Sequence, residues 1–166
     1  MAEKIMGFPA TSQDDYQLNV LNILKQASRS FGRQEIVSVQ GDTKLRFTYR
    51  DTYERVCRLG SALKGIGAQV GDRIGVMDWN THQHLECYFG APGIGAVLLL
   101  LNMRLSPVDL GYVVNHAGTS YIIVDETLIP FIEAIAGDCP NVKGYIIITR
   151  KALSDVQTRL SPVYSY

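Results

Sequence analysis

Two short polar clusters follow apolar runs in this chain, and both carry groups able to hold a ligand. Asp78-Trp79-Asn80 closes the run "RIGVM", and Asn102-Met103-Arg104 closes "AVLLLL". A guanidinium is a permanent cation that suits phosphate or carboxylate. An indole offers a flat apolar face with one N–H donor, and an asparagine amide both donates and accepts. A third cluster, "HQHLEC" from His82 to Cys87, gathers residue types that ligate metals. His82 and His84 are two apart, so on a helix they face different ways. A structural zinc site needs four ligands, and no second cluster supplies them; no metal site is expected. Asp78, Asp125 and Glu126 fall at strand ends or helix starts, and Asp125 is expected to cap the helix that follows it. There is no G-x-S-x-G and no G-x-x-x-x-G-K-[ST]. "GIGAQVG" follows a helix instead of leaving a strand, so its glycines read as structural. The residues by themselves describe a scaffold with two candidate ligand patches and no complete catalytic set.

The elements that must position these patches are legible in the periodicity. "LNVLNILKQASRSFG" repeats Leu18, Leu21, Leu24, Ala27 and Phe31 at helical spacing. "EIVSVQ" and "KLRFTY", with Gly41-Asp42 between them, predict a hairpin or a pair of neighbouring strands. Thr48 with Asp51 predicts a capped helix start, with Tyr49, Tyr53, Val56, Leu59, Leu63 and Ile66 on its buried face and Gly67 just past its end. Ser106-Pro107-x-Asp109 predicts another start: serine caps, proline occupies N1 and aspartate faces the positive end of the helix dipole. Short continuous apolar runs, "RIGVM", "AVLLLL", "SYIIVDE" and "GYIIIT", alternate with helices from about Thr81, Ser106 and Thr127. That alternation predicts an α/β fold, a mostly parallel sheet with helices on both faces. The four-leucine run is predicted to be a fully buried central strand, Ala96 to Leu101. "RKALSDVQTRL" could add a last helix. Ligands on such sheets sit beyond the carboxyl ends of the strands, where both patches fall.

Composition agrees with a globular chain and narrows its partners. The 166 residues suit one domain, with an N-terminal helical segment 1–34, an α/β core 35–149 and a tail 150–166. Lys plus Arg and Asp plus Glu are each 16, so nothing favours nucleic acid or an anionic surface. The apolar run Gly93 to Met103 is about half the roughly 20 residues of a spanning helix, so no transmembrane segment is expected. Met1 to Asp15 has no apolar h-region, and Cys57, Cys87 and Cys139 are three in number and widely spaced. No signal peptide and a reducing, cytoplasmic setting are the expectation.

The order of these local patterns carries a resemblance. "FTYRDTYERVCRLGSALKGIGAQVGDRIGVMDWN" and "HLECYFGAPGIGAVLLLLNMRLSPVDLGYVVNHAGTSYIIVD" resemble the early part of adenylate-forming enzymes, and within them medium- and long-chain fatty-acyl-CoA ligases. The resemblance runs from about Gly7 to Thr149 and implies a truncated N-terminal subdomain of that fold. It implies a two-step reaction: ATP with magnesium activates a fatty acid as an acyl-adenylate, and the thiol of CoA then takes the acyl group. No residue here matches a catalytic motif of the family. The phosphate loop and catalytic lysine are expected beyond residue 166, so the chain alone is expected to be inactive, either a ligase fragment or a folding, self-associating or nucleotide-binding module. A homodimer is among the expected states. By the same resemblance Asn102, Met103 and Arg104 border the channel for the pantetheine arm of CoA, with Trp79 and Asn80 as further candidates. Arg104 could meet a phosphate, an internal carboxylate, or an ion-pair partner that ties down its loop. Met103 stands where the family usually has proline, and Leu99 where many members have histidine.

Overall fold

Helix starts in this chain are set by side chains that satisfy N–H groups the helix itself leaves free. In the computed structural model, which describes residues 18–166, Thr48 accepts from the Asp51 N–H at 3.1 Å, and the Asp51 carboxylate accepts from the Thr48 N–H at 2.8 Å. This reciprocal box opens α2, Tyr49–Gly65. Ser106 accepts from the Asp109 N–H and opens α4, Pro107–Ala117, with proline in the first turn. Gly118 closes α4 in the left-handed conformation at φ +62°, and the Arg73 guanidinium donates to the Ala117 and Gly118 carbonyls there. A Cβ at Gly118 would lie 2.6 Å from that guanidinium, so glycine is needed for space as well as for φ.

The remaining elements follow in chain order. Helix α1 spans Leu21–Ser30, and the hairpin pairs β1, Glu35–Gln40, with β2, Thr43–Thr48, as an antiparallel two-stranded sheet. Strand β3 is Arg73–Met77, α3 His82–Gly93, β4 Val97–Leu100, β5 Thr119–Asp125, α5 Ile129–Ala136, β6 Gly144–Ile148 and β7 Val163–Ser165. Strands β4-β3-β5-β6-β7, in that spatial order, make one parallel sheet. Helices cover both faces, as the alternation predicts. Alternate residues of β5 and β6 enter two cores. Ile122, Val124, Tyr145 and Ile147 pack with Leu110 and Val114 of α4 and with Ile132 and Ile135 of α5. Tyr121, Ile123, Ile146 and Ile148 pack with Leu59 and Leu63 of α2 and with Cys87 and Ala91 of α3.

Three expectations need correction. The leucine run is not a buried central strand: β4 is an edge strand, with Val97 51% and Leu100 47% exposed. Its continuous apolar text arises because Leu98 faces one core and Leu99 the other, while its outer side is unpaired. The predicted last helix is a single 3-10 turn, Leu153–Asp155, and the tail supplies β7 instead. The first helix begins at Leu21, leaving Leu18 and Phe31 exposed, so Leu24 is the one member of the predicted stripe that is fully buried. Residues 1–17, which carry the signal-peptide expectation and half of the N-terminal segment, lie outside the described residues. Among the described residues, no helix is long and apolar enough to cross a membrane.

Candidate functional site

The sheet order fixes where a site belongs. From β3 the chain steps to β4 on one side, then crosses back over β3 to β5 and continues outward through β6 and β7. The direction of winding reverses between β3 and β5, and loops leaving their carboxyl ends must diverge there. A crevice of about 400 Å³ lies at that place. Trp79 and Thr81 come from the β3 end, Asp125, Glu126 and Thr127 from the β5 end, and Thr149, Arg150 and Lys151 from the β6 end. The hairpin turn supplies a roof with Val39, Gln40 and Gly41.

Hydrogen bonds join these loops across the crevice. The Trp79 indole N–H donates to the Thr127 hydroxyl at 2.9 Å, and that hydroxyl donates to the Asp125 carboxylate at 2.5 Å. Asp125 also accepts from the Thr127 N–H, the capping role its position predicts. Lys151 pairs with Glu126 at 3.3 Å, and Thr149 donates to the same carboxylate. The Thr149 hydroxyl, with help from Lys151, holds the Glu126 carboxyl below its ordinary range. Arg150 donates to Gln40, and Gln40 donates to Gln83 of α3 at 3.2 Å, so the roof is tied to the β6 end and to α3.

Beside the crevice, α3 carries a buried ionic anchor. Glu86 is 2% exposed, takes the Arg55 guanidinium of α2 through two bonds at 2.5 and 3.2 Å, and accepts from the Tyr166 hydroxyl at 2.7 Å. His82 stacks on Phe47 of the hairpin at 4.6 Å, and its backbone N–H donates to Ser38. Burial holds the His82 imidazole below its ordinary value. His84 faces elsewhere, toward Asp78. The two histidines therefore split as their spacing predicts. Among the described residues no trio of His, Cys, Asp or Glu is grouped to hold a metal.

The sequence patches separate in space. Trp79 lines the crevice and is half exposed; Asn80 is exposed on the same loop and is not part of the lining. Asn102, Met103 and Arg104 lie at the end of edge strand β4, outside the crevice. There the Asn102 side chain accepts from the Arg104 N–H at 2.9 Å and shapes the turn. Met103 packs against the core formed by α4 and α5. Arg104 is exposed, and its guanidinium forms no ion pair among the described residues. Thr149, Arg150, Lys151, Gln40 and Gln83 were not singled out by sequence reasoning. The one available signal was the polar Thr-Arg-Lys text directly after "GYIII".

An α/β sheet with a crevice at its reversal point is a common frame for ligand sites. The family is shown by comparison: residues 24–163 match the model of the AMP-binding enzymes, and the chain belongs to that family. It is 39% identical over 151 residues to a long-chain-fatty-acid–CoA ligase of Thermus thermophilus, covering 90% of this chain and 28% of that protein. It is 33% identical over 133 residues to a medium-chain-fatty-acid–CoA ligase of Ectopseudomonas oleovorans, covering 80% and 24%. The chain thus spans about a quarter of the length of these relatives. The fold matches the inhibitor-bound N-terminal domain of FACL13 from Mycobacterium tuberculosis, with TM-score 0.72, 23% identity, and 84% and 37% coverage of the two chains.

Proposed function

We propose that this chain is the N-terminal part of a cytoplasmic ATP-dependent fatty-acyl-CoA ligase. The observation that carries this is the 39% identity over 151 residues to a long-chain ligase, which extends through all the elements around the crevice. When bound, ATP with Mg²⁺ supplies the activation of the carboxylate, and CoA supplies the accepting thiol. This chain's own residues bind and orient. Arg104, exposed at the β4 end and without an ion pair among the described residues, meets a phosphate of CoA through charge-assisted bonds. Asn102 holds the backbone turn that presents it, and Met103 anchors that turn in the core. Trp79 and Asn80 line the approach on the β3 side. No group of described residues suits Mg²⁺, so no metal role is assigned to them. The 166 residues alone carry none of the family's catalytic motifs and do not form acyl-adenylate.

The test is a chimera in which this chain replaces the corresponding segment of the Thermus ligase. The chimera forms acyl-adenylate and acyl-CoA, whereas the isolated chain gives no ATP–pyrophosphate exchange. A folded chimera without adenylate formation, or exchange by the isolated chain, contradicts the proposal. A second proposal, homodimer formation, is favoured by the open β4 edge, where half-exposed Val97 and Leu100 border unpaired backbone groups. Light scattering on the isolated chain should show dimers that dissociate when Val97 and Leu100 are replaced by lysine.

A further inference from the structure

Beneath Trp79 lies a pair of buried polar groups that the ligase function does not use. The Asp78 side chain, at the carboxyl end of β3, has no exposure, and the His84 side chain is 16% exposed. The His84 Nδ1 stands 4.0 Å from Asp78 Oδ2. Asp78 Oδ2 accepts from the Thr81 hydroxyl at 2.6 Å, but Asp78 Oδ1 and His84 Nδ1 are both buried without a hydrogen-bond partner. Buried polar atoms without partners are costly and rare in folded proteins, and a proton taken up by the pair changes which of its atoms can donate and which accept.

We propose that Asp78 and His84 act as one proton-binding pair whose occupancy sets the position of Trp79 at the mouth of the crevice. With the proton on Asp78, the carboxyl becomes a donor and the neutral imidazole nitrogen can accept from it once the 4.0 Å gap between them closes. Without the proton, the Asp78 carboxylate is repelled by Asp125; the two acids directly follow Met77 and Val124, which pair between β3 and β5. Asp125 is bonded to Thr127, and Thr127 to the Trp79 indole, so a change in repulsion between the two acids reaches Trp79 by two routes. One is through Thr127; the other is the backbone, since Trp79 is the next residue after Asp78.

The surroundings favour uptake by the carboxyl. Burial, aided by Asp125, raises the Asp78 carboxyl to about 6, against the pull of the Thr81 hydroxyl and the Trp79 and His84 N–H groups. Burial lowers the His84 imidazole, so the titrations of the two groups are drawn toward each other and they share one proton as a pair. The other titratable groups facing the pair are few. Cys87 on α3 is a buried thiol pushed far upward, and it stays protonated throughout. The Tyr88 ring lies 5.4 Å from the His84 ring. The adjoining strand β4 is wholly apolar. Among the described residues neither a lysine nor an arginine pairs with Asp78.

Trp79 is the sole tryptophan, so its emission reports the event directly. Acidifying the chain from about pH 8 to about pH 5 should shift Trp79 emission with a midpoint near 6. D78N should abolish the transition, and D125N should keep it at a lower midpoint because the repulsion is gone. In the unaltered protein the His84 imidazole ¹⁵N shifts should show an inflection at the same midpoint, a readout that does not depend on any variant folding. Flat emission, a transition that survives in D78N, or His84 shifts with no inflection at that midpoint would each overturn the proposal.

Discussion

The carboxyl ends of β3, β5 and β6 and the carboxyl end of β4 lie on one side of the same sheet, yet they are built in opposite ways. At the crevice every charged side chain has a partner: Lys151 with Glu126, Arg150 with Gln40, Asp125 with Thr127. At the β4 end Arg104 stands exposed, without an ion pair among the described residues, on a turn made by Asn102. The difference is between a region whose polar groups hold the protein together and one whose cation is available to something else. A ligand entering the crevice must displace existing bonds, whereas one reaching Arg104 displaces only water. On the proposed function, the crevice bonds hold the loops together and the β4 end carries the contact with CoA.

Substitutions can break this contrast, and their expected effects on stability fall in a clear order. Glu86→Ala should cost the most. It leaves the Arg55 guanidinium half-buried without its carboxylate and removes the acceptor for Tyr166. Removing one partner of a buried pair costs about 3–5 kcal/mol, to be read from urea unfolding. A loss under about 1 kcal/mol would mean that the anchor beside the crevice is not structural. Next, Thr127→Val removes the hydroxyl between Trp79 and Asp125 and should cost about 1 kcal/mol. Trp79 emission should move to longer wavelength as the indole turns toward water; an unchanged spectrum would show that the bond does not hold the ring. At the bottom of the order, Arg104→Ala should leave stability within about 0.5 kcal/mol. A larger loss by denaturant titration would make Arg104 part of the scaffold and erase the contrast.

Much of the scaffold was legible because its signals are local. Thr48 with Asp51, Ser106 with Pro107 and Asp109, and Gly67 mark helix ends through contacts a few residues long, and all appear in the structure. The alternation of helices with apolar runs gave the parallel sheet. The place of β4 within it was not legible, because strand order depends on which way each crossover packs. A run such as "VLLL" reads the same at the edge as in the middle when both its faces touch helices. Strand β7 escaped for a related reason: three residues, Val163–Ser165, carry no periodicity and are strands only because β6 lies beside them. The candidate site was half legible. Trp79 could be placed at a strand end, but its neighbours Gln40 and Arg150 are 110 positions apart in the chain and meet only through the fold. The pairing of Asp78 with His84 was hidden because His84 read first as one of a group of metal-ligand types.

The central claim is that the β4 end serves CoA while the crevice serves the fold. It is tested most directly by Arg104→Ala in the ligase chimera, comparing KM for CoA with the rate of ATP–pyrophosphate exchange. Loss of one charge-assisted phosphate contact predicts a rise of about tenfold in KM for CoA, equivalent to about 1.4 kcal/mol, with exchange unchanged. An unchanged KM for CoA, or a fall in exchange of the same size, would contradict it.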